Sequence, residues 1–187
     1  MVAQKVPVIN RYRNITVSGG VGTGKTTLAK LLNTSLGWQY RNTGELYRRF
    51  VQQSGIKLEN TTHSSDDIHR ALDLYVTEHL RTDDHHIFEG WLAGFMARGM
   101  KDVLKVLVLC SDDAIRIKRV ANREDITVKE AEEHLRTREA ENLSKWKKLY
   151  GRADFWKPEE YDLVIDTRIS SEEVALQQVL DKLGKVE

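Results

Sequence analysis

The sequence predicts a doubly wound α/β fold, in which helices cover both faces of a five-stranded parallel sheet. Two observations support this prediction. Short apolar runs alternate along the chain with longer segments whose apolar residues recur at helical spacing. One of these runs, VLKVLVLC at 103–110, is almost continuously apolar, which is typical of a strand with both faces covered. In such folds the ligand binds beyond the carboxyl ends of the strands.

The remaining elements follow from the same alternation. The predicted strands are short and apolar or β-branched, and they lie at 14–18, 38–42, 85–90, 103–110 and 162–167. Helical spacing predicts helices at 26–37, 43–55, 64–80 and 170–183. Gly37 ends the first helix, Thr43 caps the second and Gly55 ends it, and a serine caps the last.

Length and charge point to one compact domain that handles small molecules. The chain has 187 residues, and its 29 basic side chains nearly balance its 28 acidic ones, which argues against nucleic acid or an anionic membrane as the main partner. A single cysteine excludes an internal disulfide framework, and the segment MVAQKVPVINRYRN lacks the apolar stretch of a signal peptide. We therefore expect a single domain over 1–187, a cytoplasmic location, and a monomer or weak homodimer.

The stretch SGGVGTGKTT at 18–27 has the spacing of a phosphate-binding loop. Gly19, four further residues, and then Gly24, Lys25 and Thr26 fit the pattern G-x-x-x-x-G-K-[ST] between a predicted strand and a predicted helix. Glycines let successive backbone N–H groups point at one anion, and the helix adds its positive dipole end. We expect Lys25 to reach the β- and γ-phosphates and Thr26 to bind Mg²⁺. The predicted nucleotide-binding residues are Gly19, Gly20, Val21, Gly22, Thr23, Gly24, Lys25, Thr26 and Thr27.

This loop indicates a three-layer P-loop NTPase fold and a nucleoside triphosphate as donor or regulator, but it leaves the acceptor open. The segment NTGELYRR at 42–49 places Arg48 and Arg49 one turn into the second helix, with Arg41 just ahead of it. Guanidinium groups near one helix start could clamp an incoming phosphate bidentately. A solvated basic face is the alternative interpretation.

The segment TGELYR at 43–48 resembles the T/S-G-[DE]-x-[FL]-R segment of nucleoside monophosphate kinases, whose arginine holds the phosphate of the acceptor. Longer runs resemble the short, archaeal-type cytidylate kinases in order and spacing over nearly the whole chain. These runs are VSGGVGTGKTTLAKLL, NTGELYR, FEGWLAGFM, IRIKRVANREDITVKEA, KKLYG and YDLVIDT. The resemblance implies a kinase that uses ATP and Mg²⁺ to phosphorylate CMP or dCMP, with an acceptor-binding segment near 38–82 and a helical lid near 123–151.

Arginines with helical spacing precede and enter this lid. Arg116, Arg119 and Arg123 share one helix face, and the opposite side is predicted to face the core through Ala114, Ile117, Val120 and Ala121. The resemblance implies that Arg119 and Arg123 contact the donor and that Arg138 of the lid contacts the transition state. Ordinary solvated arginines are the alternative.

The lid has an interrupted apolar stripe. Its apolar positions keep helical spacing at Val128, Ala131, Leu135, Leu143, Trp146 and Tyr150. Arg138, Glu139 and Asn142 break the stripe midway, which makes it poorly suited to permanent burial. We expect the lid to close over the substrates and to exclude water from the γ-phosphoryl group.

The segment FEGWLAGF at 88–95 ends a predicted strand and departs from the family pattern. The resemblance implies that Glu89 orients Mg²⁺ through water, and a partnered structural carboxylate is the alternative. The family has an arginine after the glycine, whereas this chain has Trp91, whose indole can stack on a base but cannot replace a guanidinium charge. The predicted acceptor-binding residues are Thr43, Gly44, Arg48, Arg41, Asp73, Glu89, Gly90 and Trp91.

Three functions stay open at this point. The first is an ATP-dependent kinase of CMP or dCMP, with Asp73 reading the base and Thr26 and Glu89 serving the metal. The second, suggested by Trp91, is a kinase of another small acceptor such as a nucleoside, and the third is a nucleotide-binding module with little turnover. Asp73 is alternatively an exposed helix carboxylate. The histidines in polar or helical contexts are predicted to lie on the surface, namely His63, His69, His79 and His134.

Overall fold

The computed structural model describes residues 11–53 and 64–184, and its centre is a parallel β-sheet. The strands of the described chain are β1 Asn14–Ser18, β2 Gln39–Asn42, β3 His86–Glu89, β4 Val103–Leu109 and β5 Leu163–Asp166. They are ordered β2-β3-β1-β4-β5, and every pair is parallel. The predicted strands and the predicted fold class are confirmed.

Helices occupy the connections between the strands. Their bounds are α1 Lys25–Leu36, α2 Thr43–Gln53, α3 Ser64–Thr82, α4 Ala93–Met96, α5 Asp113–Glu124, α6 Val128–Tyr150 and α7 Glu172–Leu183, with a 3₁₀ turn at Pro158–Glu160. The sequence did not predict α4, because a single turn is too short to show a helical period. Within the described residues, no helix combines the length and apolar character needed to cross a membrane.

The sheet separates two apolar clusters. On one face, Leu28 and Leu32 of α1 and Val179 of α7 pack with Ile15 and Val17 of β1. On the other face, α3, α4 and the end of α6 pack around Phe88 of β3. Strand β1 pairs with β3 and β4 on its two sides and is buried at every position, whereas β2 lies at the edge of the sheet and is largely half-buried. This edge position explains why the sequence signal of β2 is weak.

The start of α2 corrects one prediction. The side chain that accepts a hydrogen bond from the first turn belongs to Asn42, whose Oδ1 lies 2.9 Å from the Glu45 backbone nitrogen, and not to Thr43. Asn42 ends β2, so one residue closes the strand and caps the helix. The predicted helix end at Gly55 lies outside the described residues. At α7 the predicted serine cap is present, since Ser171 accepts a hydrogen bond from Val174.

Most of the segment predicted as a lid is one continuous helix, α6, which packs at both ends. Near its start, Ala131 and Leu135 are buried against Val21 and Val120, and near its end Trp146 is buried in the cluster around Phe88. The charged interruption lies between these two packed regions. Ala114, a predicted core-facing position, is instead exposed, and Val128 of the apolar stripe is 62 % exposed. Both stand at or near the first turn of their helices, where fewer neighbours can cover them.

Candidate active site

The carboxyl ends of the strands converge on a glycine-rich loop between β1 and α1. Gly22 and Gly24 adopt φ values of +72° and +89°, which side chains rarely tolerate. A Cβ on Gly19 would lie 2.3 Å from the Val108 carbonyl oxygen, and one on Gly22 would lie 2.7 Å from the Arg116 carbonyl oxygen. The loop therefore needs glycine both for its backbone turn and for close packing against β4 and α5.

A first cavity, the donor cavity, opens at this loop and has a volume of about 670 Å³. Of the predicted nucleotide-binding residues, those that line it are Gly22, Gly24, Lys25, Thr26 and Thr27. The other four belong to the same loop but are buried, namely Gly19, Gly20, Val21 and Thr23. The Thr23 hydroxyl donates to the Gly20 carbonyl at 3.2 Å and so stiffens the turn from within.

The opposite wall of the donor cavity follows β5 and was not predicted from the sequence. It is formed by 167–172, which includes Ile169, an apolar side chain that is 81 % exposed. Because the carboxyl ends of parallel strands share one edge of the sheet, the position of RISS directly after DLVIDT was the signal that could have pointed to this wall. An exposed isoleucine beside a cavity offers an apolar surface to a flat ligand group.

Arg119 braces the donor cavity. Its guanidinium donates to the Gly22 carbonyl at 3.1 Å, to the Thr167 hydroxyl at 2.8 Å and to the Thr167 carbonyl at 3.2 Å. These bonds tie the phosphate-binding loop to the end of β5. Arg119 is also one of the residues that line the cavity.

Lys25 lies deep between the loop and β3. Its Nζ donates to the Gly20 carbonyl at 3.0 Å and lies 3.8 Å from Glu89 Oε1. Burial lowers the pKa of the Lys25 ammonium below its usual value. The nearby Glu89 carboxylate acts in the opposite direction and offsets part of this lowering. A buried ammonium with one carboxylate beside it can accept the negative charge of a phosphate at short range.

Glu89, the last residue of β3, is 1 % exposed and fully engaged. It accepts hydrogen bonds from the Tyr40 hydroxyl at 3.0 Å, from the Thr26 hydroxyl at 3.3 Å and from Asn42 Nδ2. Burial, followed by the charge of Glu89, raises the pKa of Tyr40 to about 12, so this hydroxyl remains a donor. The sequence pointed to Glu89 and Thr26 but missed Tyr40 and Asn42.

The pair formed by Thr26 and Glu89 fits a magnesium ion. Both offer oxygen atoms, which Mg²⁺ prefers, and the two oxygens lie 3.3 Å apart at the edge of the cavities. Among the described residues, no cluster of three or more His, Cys, Asp or Glu side chains could hold a metal by itself. A Mg²⁺ ion at this position would therefore complete its coordination with phosphate oxygens and water, as is usual for this metal at nucleotides.

A second cavity, the acceptor cavity, lies on the other side of Lys25 and has a volume of about 540 Å³. Its walls include most of the predicted acceptor-binding residues, namely Thr43, Gly44, Arg48, Asp73, Glu89, Gly90 and Trp91. Gly90 is required there because its Cβ would lie 1.8 Å from the Thr43 hydroxyl. Cationic side chains are frequent among the lining residues, with Arg48, Arg123, Arg138 and Lys145 beside Lys25.

Arg41 is the predicted acceptor residue that the structure does not bring to this cavity. Its guanidinium donates to His86 Nδ1 at 3.3 Å and to the Tyr75 hydroxyl. Together with Arg49 it lines a separate groove beside β2. Successive residues of a strand point to opposite faces, so Arg41 faces away from its neighbour Asn42, which does line the acceptor cavity.

Trp91 belongs to an aromatic cluster that joins the end of β3 to α6. Its ring centroid lies 5.2 Å from that of Trp146 and 5.6 Å from that of Trp156. Trp156 Nε1 also donates to the Trp91 carbonyl at 2.9 Å. Trp91 is half-buried, so one part of the indole packs in this cluster and another lines the acceptor cavity.

The far end of the acceptor cavity contains two buried polar atoms that have no partner among the described residues, Asp73 Oδ1 and His69 Nε2. Asp73 Oδ2 accepts from the Tyr150 hydroxyl at 2.5 Å, and burial raises the pKa of Asp73. His69 stacks on Tyr47 at 4.5 Å, and burial lowers its pKa to about 4. The prediction that His69 lies on the surface is wrong, because α6 covers this side of α3.

The donor and acceptor cavities meet at shared residues, Lys25, Thr26 and Arg123. Arg138 enters the acceptor cavity from α6 and lies 3.8 Å from Glu124. Lys25 thus stands between the cavity at the glycine-rich loop and a second cavity lined by cationic side chains. Fold and site together define a phosphotransferase of the P-loop kinase class.

Comparison with known proteins narrows this class. The cytidylate kinase-like family matches residues 59–169, and the cytidylate kinase family matches residues 15–91. A cytidylate kinase of Pyrococcus furiosus is 35 % identical over 156 residues, which cover 82 % of this chain and 79 % of that protein. A cytidylate kinase of Methanopyrus kandleri is 32 % identical over 169 residues, which cover 85 % of this chain and 86 % of that protein.

Solved structures are similar in fold. An uncharacterized protein from Eubacterium ventriosum superposes with a TM-score of 0.72 at 15 % identity, covering 93 % of this chain and 99 % of that one. The shikimate kinase of Acinetobacter baumannii in complex with shikimate superposes with a TM-score of 0.58 at 16 % identity, covering 94 % of this chain and 95 % of that one. The chain belongs to the cytidylate kinase-like family. It is a nucleoside monophosphate kinase, and this family implies ATP as the phosphate donor.

Proposed function

We propose that this protein transfers the γ-phosphoryl group of ATP to CMP or dCMP with the help of Mg²⁺. The observation that supports this most strongly is the meeting of two cavities at Lys25, Thr26 and Arg123. One cavity has the phosphate-binding loop of a triphosphate site. The other has the cationic lining that a second phosphate-bearing molecule requires.

The charge of the acceptor cavity favours a monophosphate over a nucleoside. Arg123 and Arg138 line it as partners of Glu124, whereas Arg48 and Lys145 line it without a carboxylate partner among the described residues. A neutral nucleoside would leave these last two cations without a counter-charge. Trp91 does not oppose this assignment. Its packing against Trp146 and Trp156 accounts for the aromatic residue without a neutral acceptor, and Arg48 with the cations of α5 and α6 can take over the phosphate.

The far end of the same cavity favours cytosine. Asp73 Oδ1 is a buried hydrogen-bond acceptor with no donor in the part of the chain that the structure describes. The exocyclic amine of cytosine is a donor, whereas uracil offers a carbonyl oxygen at that position. An unpaired carboxylate oxygen facing a carbonyl oxygen is unfavourable, so the proposal includes discrimination of CMP from UMP through Asp73.

The mechanism is a direct in-line transfer. A phosphate oxygen of the acceptor attacks the γ-phosphorus of ATP while the bond to the β-phosphate breaks, and ADP leaves with the electron pair. That oxygen is already a nucleophile at neutral pH, so the protein supplies no general base. Lys25 and Arg123 stand where both substrates meet and stabilise the charge that spreads over the transferred group, and Arg138 approaches from α6.

Thr26 and Glu89 would hold the magnesium ion at the donor phosphates. When bound, Mg²⁺ supplies charge neutralisation of the phosphate oxygens. The protein prepares for this by keeping both oxygen ligands at the junction of the cavities. We further propose that residues 1–187 act as one domain, with an acceptor-binding segment near 38–82 and a lid near 123–151. The charged middle of this lid contributes Arg138 and Asn142 to the lining of the acceptor cavity.

The proposal is tested with Mg-ATP and a panel of acceptors, with ADP release as the readout. CMP, dCMP, UMP, AMP, cytidine and shikimate are offered at equal concentrations. We expect turnover with CMP and dCMP and at least about tenfold lower kcat/KM with UMP, because one unpaired buried carboxylate costs more than 1 kcal/mol. Turnover with cytidine but not CMP would overturn the proposal. ATP binding without turnover on any acceptor would also overturn it.

A further inference from the structure

The carboxylate of Glu89 divides its contacts between its two oxygens. Oε2 accepts from the Tyr40 hydroxyl at 3.0 Å and from Asn42 Nδ2. Oε1 lies 3.3 Å from the Thr26 hydroxyl and 3.8 Å from Lys25 Nζ. One oxygen is therefore held by β2, and the other faces the phosphate-binding loop.

This division follows from strand register. Tyr40 and Asn42 are two apart on β2 and so point to the same face, and Asn42 pairs directly with Glu89 of β3. Side chains opposite each other on neighbouring strands lie within hydrogen-bonding reach. The two donors of β2 thus approach the same oxygen of the carboxylate at the end of the neighbouring strand.

Burial makes these donors necessary. Glu89 is 1 % exposed, so bulk water does not solvate Oε2 in their place. A carboxylate oxygen buried without donors costs free energy, and the side chain would rotate to recover hydrogen bonds elsewhere. Tyr40 and Asn42 remove that cost in the one orientation that leaves Oε1 beside Thr26.

Asn42 also has a second contact with its other amide atom. Oδ1 accepts from the Glu45 backbone N–H at 2.9 Å and caps α2, the helix that carries Arg48. The two ends of one amide therefore touch the metal-side carboxylate and the start of the helix that lines the acceptor cavity. This double contact allows the two roles to be separated by substitution.

We propose that Tyr40 and Asn42 are positioning residues that hold Glu89 with Oε1 toward Thr26, and that Mg²⁺ binding at the donor phosphates depends on them. The inference rests on the proposed function, since it assigns the metal to Thr26 and Glu89. Hydrogen-bond partners of metal ligands typically change metal affinity by about 10- to 100-fold when they are removed.

The test measures how strongly Mg²⁺ enhances ATP binding. The dissociation constant of ATP is determined by calorimetry with excess Mg²⁺ and again with EDTA. The Mg²⁺ ratio is the dissociation constant in EDTA divided by the one with Mg²⁺, and it reports the metal contribution alone. We expect Tyr40→Phe to reduce this ratio about tenfold and to leave ATP affinity in EDTA within about twofold of the unaltered protein. Glu89→Gln gives the upper limit of the loss.

Tyr161→Phe is the matched control. Tyr161 is, like Tyr40, a half-buried tyrosine, and burial raises its pKa to about 12. Its hydroxyl donates to the Phe155 carbonyl at 2.9 Å, away from Glu89. Its removal should leave the Mg²⁺ ratio unchanged. An equal loss of the ratio in Tyr161→Phe and Tyr40→Phe would mean a general structural effect and would overturn the assignment.

Two substitutions of Asn42 separate its contacts. Serine still caps a helix but is too short to reach Oε2, so Asn42→Ser should lower the Mg²⁺ ratio about tenfold. Because Asn42 also lines the acceptor cavity, the KM of CMP of this variant serves only as the reference for Asn42→Ala. Asn42→Ala loses both contacts and should also raise the KM of CMP. A Mg²⁺ ratio that is unchanged in Tyr40→Phe and Asn42→Ser would contradict the inference.

Failure of this inference is distinct from failure of the proposed function. The unaltered protein is first assayed with CMP. Turnover with CMP, together with unchanged Mg²⁺ ratios in the variants, would leave the kinase assignment intact and remove the role of Tyr40 and Asn42. A Mg²⁺ ratio near one in the unaltered protein would overturn the inference as well, because no metal contribution would then depend on these residues.

Discussion

The donor and acceptor cavities share Lys25 but are built in opposite ways. One wall of the donor cavity consists of Gly22 and 24–28, which lie within a single short stretch of chain. The acceptor cavity is built from side chains of α2, α3, α5 and α6 and of the end of β3. A contiguous site is encoded in local spacing, whereas a dispersed site depends on how distant elements pack. The second cavity is therefore where substrate choice can change while the fold is kept.

The largest expected effect tests the residue that both cavities share. Lys25→Ala should lower kcat by about 10³-fold, because it removes a buried cation from the position where charge develops during transfer. The measurement is steady-state ADP release with saturating Mg-ATP and CMP, with circular dichroism to verify folding. A variant that raised only the KM of ATP and kept kcat would show that Lys25 serves the donor cavity alone.

Arg48 tests the acceptor cavity by itself. Arg48→Ala should raise the KM of CMP by about 10- to 100-fold, since a hydrogen bond to a charged group contributes about 1.5–3 kcal/mol. The KM of ATP should change less than about twofold. Initial rates at varied CMP and then varied ATP separate the two values.

Arg49→Ala is the matched control for this prediction. Arg49 neighbours Arg48 in sequence and has the same charge, but it lines the separate groove beside β2. Its substitution should leave the KM of CMP near that of the unaltered protein. Equal effects of the two substitutions would show that charge in general, and not the geometry of the acceptor cavity, governs CMP binding.

The difference between a contiguous and a dispersed site also explains which parts of the fold and of the site could be predicted from the sequence. The five strands, most helices and the phosphate-binding loop follow from periodicity and spacing, which are local properties. The single turn of α4 and the cap at Asn42 were not predicted, because each involves only one turn of chain and shows no period in the sequence. The contact of Tyr40 with Glu89 and the burial of His69 were not predicted for another reason. Both arise only when β2 lies beside β3 and α6 covers α3.

Trp91 both packs in an aromatic cluster and lines the acceptor cavity. Trp91→Ala should lower the free energy of unfolding by about 2 kcal/mol, because the half-buried indole packs against Trp146 and Trp156. The KM of CMP should change less than about threefold. Urea denaturation and initial rates measure the two effects. An unchanged stability with a KM raised more than about tenfold would make Trp91 a direct acceptor contact.

The smallest effect concerns pH and the far end of the acceptor cavity. Burial lowers the pKa of His69 from 6.5 to about 4, with Lys145 opposing and Asp66 favouring the charged form. The unfolded chain therefore takes up a proton below pH 6.5 that the folded protein refuses, so stability falls as pH drops from 6.5 towards 4. When the pH is lowered from 7 to 5, the free energy of unfolding of His69→Asn should fall by about 1–2 kcal/mol less than that of the unaltered protein, as measured by urea denaturation. Equal losses in both proteins would show that His69 titrates as an exposed histidine.

The central claim is that both substrates bind at once and meet at Lys25, Thr26 and Arg123. The most direct measurement uses adenosine and cytidine joined 5′ to 5′ through a pentaphosphate chain, which can span both cavities. We expect this compound to bind more tightly than ATP or CMP alone and to inhibit competitively against each of them. Inhibition competitive with ATP but noncompetitive with CMP would show that the second cavity is not the CMP site and that the two substrates do not meet at Lys25.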